Sequence, residues 1–380
     1  MRKYKSTFIL LFLLVGCSIA SLFIGVIELG VGASPYSLHE QMEILLISRL
    51  PRLLAILCTG IGMSVAGLIM QQLCMNKFVS PTTGATISSA QFGILLALVF
   101  MPSSTIWSRA IFSAVCAILG TWLFVWFIQR IQFKDPVMVP LVGIMFGNVI
   151  GGITNYIAYK YEMTQAISSW LTGSFSTILR GRYEIVWLVV PLVILAFLFA
   201  NHFNIVGMGK DFSNNLGVNY NLVLFWGLTI AAMITASIVV IVGSISYIGL
   251  IVPNLVAIFK GDKIRGTLID TALFGALFVL ICDMIGRVVI APYELPIELI
   301  IGILGSLLCR TADRRTGLFL CHPHQRLYHR CRRGIFPLSS AQARKLWKRE
   351  LLQRLMCIEL KLILIYHKCV LMEKIMLMQI

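Results

Sequence analysis

Charge is what this sequence has least of. Only 13% of its 380 residues are Asp, Glu, Lys or Arg, against 58% hydrophobic residues and a mean hydropathy of +0.88. A soluble protein could not cover its surface with so few charges, so lipid is the solvent for most of the chain. A phosphate-binding loop is missing too. The one Gly-Lys pair, Gly209-Lys210, is followed by Asp211 and has no glycine five positions earlier, so any ATP hydrolysis falls to a separate subunit. Metal-ligand spacing is absent from the apolar part, where His39 and His202 stand alone. No cofactor is expected, and a metallic cargo would arrive already chelated. Cys17, Cys58, Cys74, Cys116 and Cys282 fall inside apolar runs and read as small buried hydrophobes, not as a disulfide framework. No serine–histidine or paired-carboxylate arrangement has convincing spacing, which leaves an intramembrane enzyme weakly supported.

Long apolar runs are abundant. Segments 7–29, 53–73, 84–101, 105–128, 136–160, 184–201, 221–242 and 268–291, with shorter ones at 247–259 and 295–308, predict about ten crossings. All must be helical, because hydrocarbon leaves no partner for open backbone groups. The box Leu14-Val-Gly-Cys17 resembles a lipoprotein cleavage site. The apolar run continues to Val26, however, which predicts a retained first helix.

The net charge of +16 is concentrated. From Arg310 onward 15 Lys/Arg face 4 Asp/Glu, which leaves +5 for the rest of the chain. Arg2, Lys3 and Lys5 put the N-terminus in the cytoplasm by the positive-inside rule. Alternation from there places ten basic residues inside and seven outside: Arg49, Arg52, Arg109, Lys160, Arg180, Arg182 and Arg287. Arginine's planar fork suits carboxylates, so this outer set is either a dock for an acidic partner or a row of interfacial anchors.

Some stretches are not plain spans. Residues 202–222 are polar, with glycines at 207, 209 and 217. Asp211 or Ser213 could cap a short helix there, and two short helices joined by Gly217 would form a cytoplasmic knob, the alternative being an ordinary loop. Residues 75–93 are rich in Ser, Thr, Gly and Pro between apolar runs. Either they form a surface hairpin, or Asn76, Phe78 and 80–83 lie on a translocation path. Gly143, Gly147 and Gly151 make a stripe suited to close helix contact. Asp283 and Arg287 share a helix face and can neutralise each other.

Three ordered blocks then resemble a known family. They are RLPRLLAILCTGIGMSVAGLIMQQ with NKFVSPTTGAT (49–72 and 76–86), GSISYIGLIVPNLVAIFKGD (243–262) and LFGALFVLICDMIGRVVIAPYELPIELIIGILG (273–305). Together they resemble the FecCD-type permeases, membrane subunits of ATP-driven importers of ferric siderophores, haem and vitamin B12. The likeness runs from about residue 5 to 306. Lys77 and Phe78 depart from the family's usual Asn-Pro-Leu-Ala-x-Pro pattern, and Asn254 replaces its usual histidine. The Lys-Phe-Val-Ser-Pro-Thr-Thr variant is most similar to a siderophore branch of the petrobactin or anguibactin type.

The resemblance implies an all-α, vitamin-B12-importer-like permease over 1–308, multi-pass in the bacterial cytoplasmic membrane. Its partners would be a second permease subunit, two ATPase subunits and a substrate-binding protein outside. Position by position, Arg49, Arg52 and Arg287 match arginines that dock the binding protein. Asn76 and Phe78 match a cytoplasmic gate, with Ser80, Pro81 and Thr82 alongside. Residues 205–222, including Asp211, Asn215, Leu216 and Gly217, match the coupling helices that engage the ATPase. Haem or cobalamin is the alternative cargo within the family. An ion-coupled secondary transporter is the alternative outside it, disfavoured because few ionisable groups fall near mid-membrane.

Past Ser306 the sequence changes character. The last apolar stretch is 14 residues, contains Glu298, and is followed at once by charge. Residues 309–380 read first as a frame-disrupted appendage. They read second as a native basic extension, and last as a metal site at Cys321, His322, His324, His329 and Cys331.

Overall fold

The computed structural model describes residues 2–24, 39, 42–43, 45–101, 105–130, 138–176, 178, 184–260, 264–289 and 294–316. Among them no strand forms; a lone parallel bridge joins Thr172 to Ser244. The helices are α1 (Arg2–Phe23), α2 (Leu50–Leu73), α3 (Thr86–Phe100), α4 (Ile106–Arg130), α5 (Met138–Lys160), α6 (Thr164–Leu171), α7 (Val189–Val206), α8 (Lys210–Asn215), α9 (Tyr220–Val242), α10 (Ile248–Lys260), α11 (Ile264–Val288) and α12 (Ile297–Thr316). Six of the described helical segments are long and apolar enough to cross a membrane, and four shorter ones are apolar. Those ten coincide with the ten predicted crossings. The protein is an all-α, multi-pass membrane protein. The end at which α1 starts is called inner, and the opposite end outer, after the orientation that the basic residues predict.

Local chemistry sets the boundaries. Pro51 stands in the first turn of α2, where its missing N–H costs nothing, after a π-turn over Leu45–Arg49. Asn219 caps α9 by accepting Leu222 N at 3.3 Å. Gly243, at φ 90°, ends α9 in a backbone conformation that side chains resist.

The chain divides into two units, 1–301 and 302–380. In the first, α2 and α9 are the most enclosed of the long helices. Small residues let α2 sit against its neighbours. A methyl group at Gly60 would lie 2.6 Å from Gly275 O on α11, and one at Gly67 only 2.0 Å from Gly249 O on α10. Without a water-driven hydrophobic effect between helices, such close approach is what binds them. Of the predicted stripe on α5, Gly143 packs against Thr83 O and the Phe124 ring, Gly147 lies near Ser88, and Gly151 meets open space. In the second unit, the described residues continue α12 as helix to Thr316, past the predicted limit at Leu308. Residues 317–380, with the predicted appendage and its Cys/His group, lie outside the described residues, as do Arg180 and Arg182.

Candidate functional site

At the outer end the structure brings the three candidate docking arginines together. Arg52 Nη2 donates to Asp283 Oδ1 at 2.8 Å and its Nη1 to Glu294 Oε1 at 2.7 Å. Arg287 donates from Nε to Asp283 Oδ2 at 2.7 Å, and its Nη2 reaches the same oxygen. Asp283 is thus held from both sides at 3% side-chain exposure, as a buried carboxylate requires. The same arginine reaches into α1. Its Nη1 donates to the carbonyls of Ser21 (3.2 Å) and Ile24 (3.0 Å), and its Nη2 to Ser21 Oγ (3.1 Å). Arg49 Nη1 donates to Leu22 O. A helix end in lipid leaves carbonyls without donors, and these guanidinium groups supply them.

The Asp283–Arg287 pair is visible from its four-residue spacing. The Arg52–Asp283 and Arg52–Glu294 bonds are not, because they join residues more than 230 positions apart. Arg49 is buried, and the side chains of Arg287 and Arg52 are 7% and 14% exposed. The cluster is therefore first a clamp on α1, α2 and α11.

At the inner end, residues 74–85 form an irregular turn packed largely against protein, with Met75 and Lys77 exposed. It is no surface hairpin: Asn76, Ser80 and Pro81 are buried, and Phe78 and Thr82 are half-buried. Non-glycine residues at positive φ, Met75 (49°) and Ala85 (59°), stand at its two ends. Inside, Phe78 N donates to Asn76 Oδ1 at 2.9 Å and Ser80 N to Thr83 Oγ1 at 2.8 Å, while the Ser80 and Thr82 hydroxyls lie 3.0 Å apart. Asn254, where the family usually has histidine, donates from Nδ2 to Lys77 O at 2.9 Å and to Leu250 O at 2.8 Å. This side chain ties the turn to α10.

The polar 202–222 stretch folds as one short helix, α8, not two. No side chain caps it. Its N-cap is Gly209, at φ 111°, and the Ser213 hydroxyl instead donates to Gly209 O (2.7 Å) and Ile205 O (3.1 Å). Asp211 lies in the first turn, where a carboxylate suits the helix dipole. Asn215 is its last residue, and Leu216 caps it before Gly217 turns at φ 75° into the approach to α9. The physical reason for one helix is that Asn219 already belongs to the cap of α9. Met208, Phe212 and Leu216, four residues apart, are 58%, 47% and 56% exposed. They make a small apolar face on an otherwise polar knob.

Two further features were not legible from local pattern. Asp270 on α11 pairs with Lys260 and accepts Thr7 Oγ1 at 2.7 Å, which fastens the inner part of α1. Glu298 in the first turn of α12 accepts Ser246 Oγ at 2.8 Å. Among the described residues, no group of three or more His, Cys, Asp or Glu could hold a metal ion.

The chain matches the FecCD transport family over residues 11–309. It is 44% identical over 308 residues to the petrobactin import system permease protein YclN of Bacillus subtilis, covering 80% of this chain and 95% of that protein. It is 35% identical to the ferric-anguibactin transport system permease protein FatD of Vibrio anguillarum, covering 76% of this chain and 92% of that one. A solved structure of an ABC transporter described as metal-chelate type, in an inward-facing conformation, superposes with a TM-score of 0.71. That likeness is at 25% identity and covers 82% of this chain and 99% of that one. On the family match and the identities together, the chain belongs to the FecCD transport family.

Proposed function

We propose that this chain is the membrane-spanning permease subunit of an ATP-binding-cassette importer that carries a ferric siderophore of the petrobactin or anguibactin type across the cytoplasmic membrane. Its N-terminus is on the cytoplasmic side. The observation that carries the reading is the 44% identity extending over 95% of a petrobactin import permease. The chain itself performs no covalent chemistry.

Each end of the molecule supports a partner. Outside, Arg52, which keeps 14% of its side chain exposed, suits the acidic surface of a substrate-binding protein. Inside, the apolar face of Met208, Phe212 and Leu216, beside Asp211, Asn215 and Gly217, suits a groove on an ATPase subunit. Laterally, α5 exposes Asn148, Asn155, Tyr156 and Tyr159. Lipid does not select asparagines, whereas a second permease subunit and a water-filled path between the two do. The buried turn at Asn76, Phe78, Ser80, Pro81 and Thr82 is the cytoplasmic gate of that path. Transport is alternating access: nucleotide-driven closure of the ATPase pair moves the knobs and re-packs the helices around the gate.

The test is uptake by proteoliposomes that hold this chain with its ATPase, second permease and binding protein. Ferric petrobactin should enter only with ATP on the ATPase side. Entry that follows a proton or sodium gradient and ignores ATP would replace this reading with a secondary transporter.

A further inference from the structure

We infer that Gln72, the penultimate residue of α2, is a positioning residue that transmits movement of the cytoplasmic knob to the gate turn. The inference rests on the permease reading above and names a route within it.

Gly207 follows the last residue of α7 and has φ −65°, so no backbone requirement for glycine exists there. A side chain there would have to displace Gln72. A methyl group at Gly207 would lie 2.2 Å from Gln72 Nε2 and 2.7 Å from its Cγ and Cδ. The amide side chain therefore lies directly across the Gly207 backbone. The neighbouring Leu73 fills the equivalent place on α9: a methyl at Gly227 would sit 2.5 Å from Leu73 Cδ1 and 2.8 Å from Phe203 Cε1 of α7. The last turn of α2 thus packs closely between the end of α7 and α9.

On one side, the knob is rigidly joined to that contact. Gly207 N, Met208 N and Gly209 N each donate at 3.0 Å to carbonyls in the last turn of α7, and Ser213 Oγ closes back onto Ile205 O and Gly209 O. A push on α8 reaches Gly207 through short bonds.

On the other side, the end of α2 is joined to the gate. Met75 N donates to Gln72 O at 3.1 Å and Asn76 N to Gln71 O at 2.9 Å. Gln71 Nε2 also donates to Gly249 O (3.3 Å) and Leu250 O (3.4 Å) on α10. The first of these bonds meets the Gly249 carbonyl, which Pro253, having no N–H, leaves without its helical donor. Asn254 then returns from α10 to Lys77 O inside the turn. Gln72 is where this network meets the knob.

The experiment uses the complete importer in proteoliposomes and reads ferric-petrobactin uptake per ATP hydrolysed, together with ATPase retention on pull-down. Gln72→Ala should lower uptake per ATP at least about fivefold, the lower end of typical coupling free energies, while ATPase subunits stay bound and hydrolysis continues. Gln72→Met, of similar length, should keep coupling, because the contact is steric. Gly207→Ala should lower both membrane yield and uptake. Adding Gln72→Ala to it relieves the crowding and should restore yield but not uptake per ATP. Normal coupling in Gln72→Ala, loss of the ATPase from it, or full recovery of uptake in the double variant would each overturn the inference. Failure of the unaltered complex to transport with ATP would instead strike the permease reading.

Discussion

Arg287 caps α1: its Nη1 lies 3.2 Å from Ser21 O, while its Nε holds Asp283 Oδ2 at 2.7 Å. One guanidinium therefore joins the first spanning helix to a buried carboxylate on α11, and an arginine that the chain's charge pattern offers to a partner is engaged within the fold.

Arg287→Leu should destabilise the purified permease by about 3–5 kcal/mol, the usual consequence of removing one partner from a buried ion pair. The α1 carbonyls lose a donor and Asp283 keeps Arg52 alone. Thermal unfolding in detergent measures it. Asp283→Asn combined with Arg287→Gln should cost less than the two single changes summed, since neither then strands a charge; strict additivity would mean that the two side chains act independently.

Glu294 competes with any incoming carboxylate for Arg52. With 27% of its side chain exposed, Glu294→Gln should change stability by less than about 1 kcal/mol. It should tighten binding of the substrate-binding protein, most clearly at low salt. Arg52→Gln should weaken that binding. Unchanged affinity in both variants, measured by surface plasmon resonance on nanodiscs, would assign the cluster to folding alone. Charge reversal at Arg49 is a poorer test, because that side chain is buried against α1.

Phe212→Ser with Leu216→Ser should remove the knob's apolar face without touching its interior, as both side chains are about half exposed. The permease should express and insert normally yet lose its ATPase subunit on co-purification. Retention of the ATPase would send the coupling assignment elsewhere.

Asn254→Leu removes the tie between α10 and Lys77 O and should cost about 0.5–1.5 kcal/mol, the net contribution of one such hydrogen bond. Asn254→His offers a ring N–H over similar reach and should retain most uptake. A leucine variant that transports like the parent would mean that the turn is held by other contacts.

Membrane class, the number of apolar helices and their approximate positions were legible because lipid imposes one strong rule: each crossing must be a continuous apolar helix that satisfies its own backbone. The α10 boundary illustrates it, predicted at 247–259 and found at Ile248–Lys260. The knob was legible as a polar interruption, yet its fold as one helix was not, since whether Asn219 closes that helix or opens the next depends on the competing cap of α9. The residues of the 74–85 turn stood out as a polar stretch inside an apolar protein. Their burial, and their attachment through Asn254, were invisible because the partners lie more than 170 positions apart.

The amino-acid order by itself determined that this chain lives in lipid, crosses it about ten times as helix and carries no phosphate loop, because those properties follow from local hydropathy and spacing. Beyond the Asp283–Arg287 pair, which four-residue spacing announces, tertiary structure decided what the charged and polar side chains do. The energy of a charge in a low-dielectric setting depends on what stands within about 4 Å of it. For Arg52, Asp283 and Glu294, as for Gln72 and Gly207, that neighbour comes from another helix far along the chain.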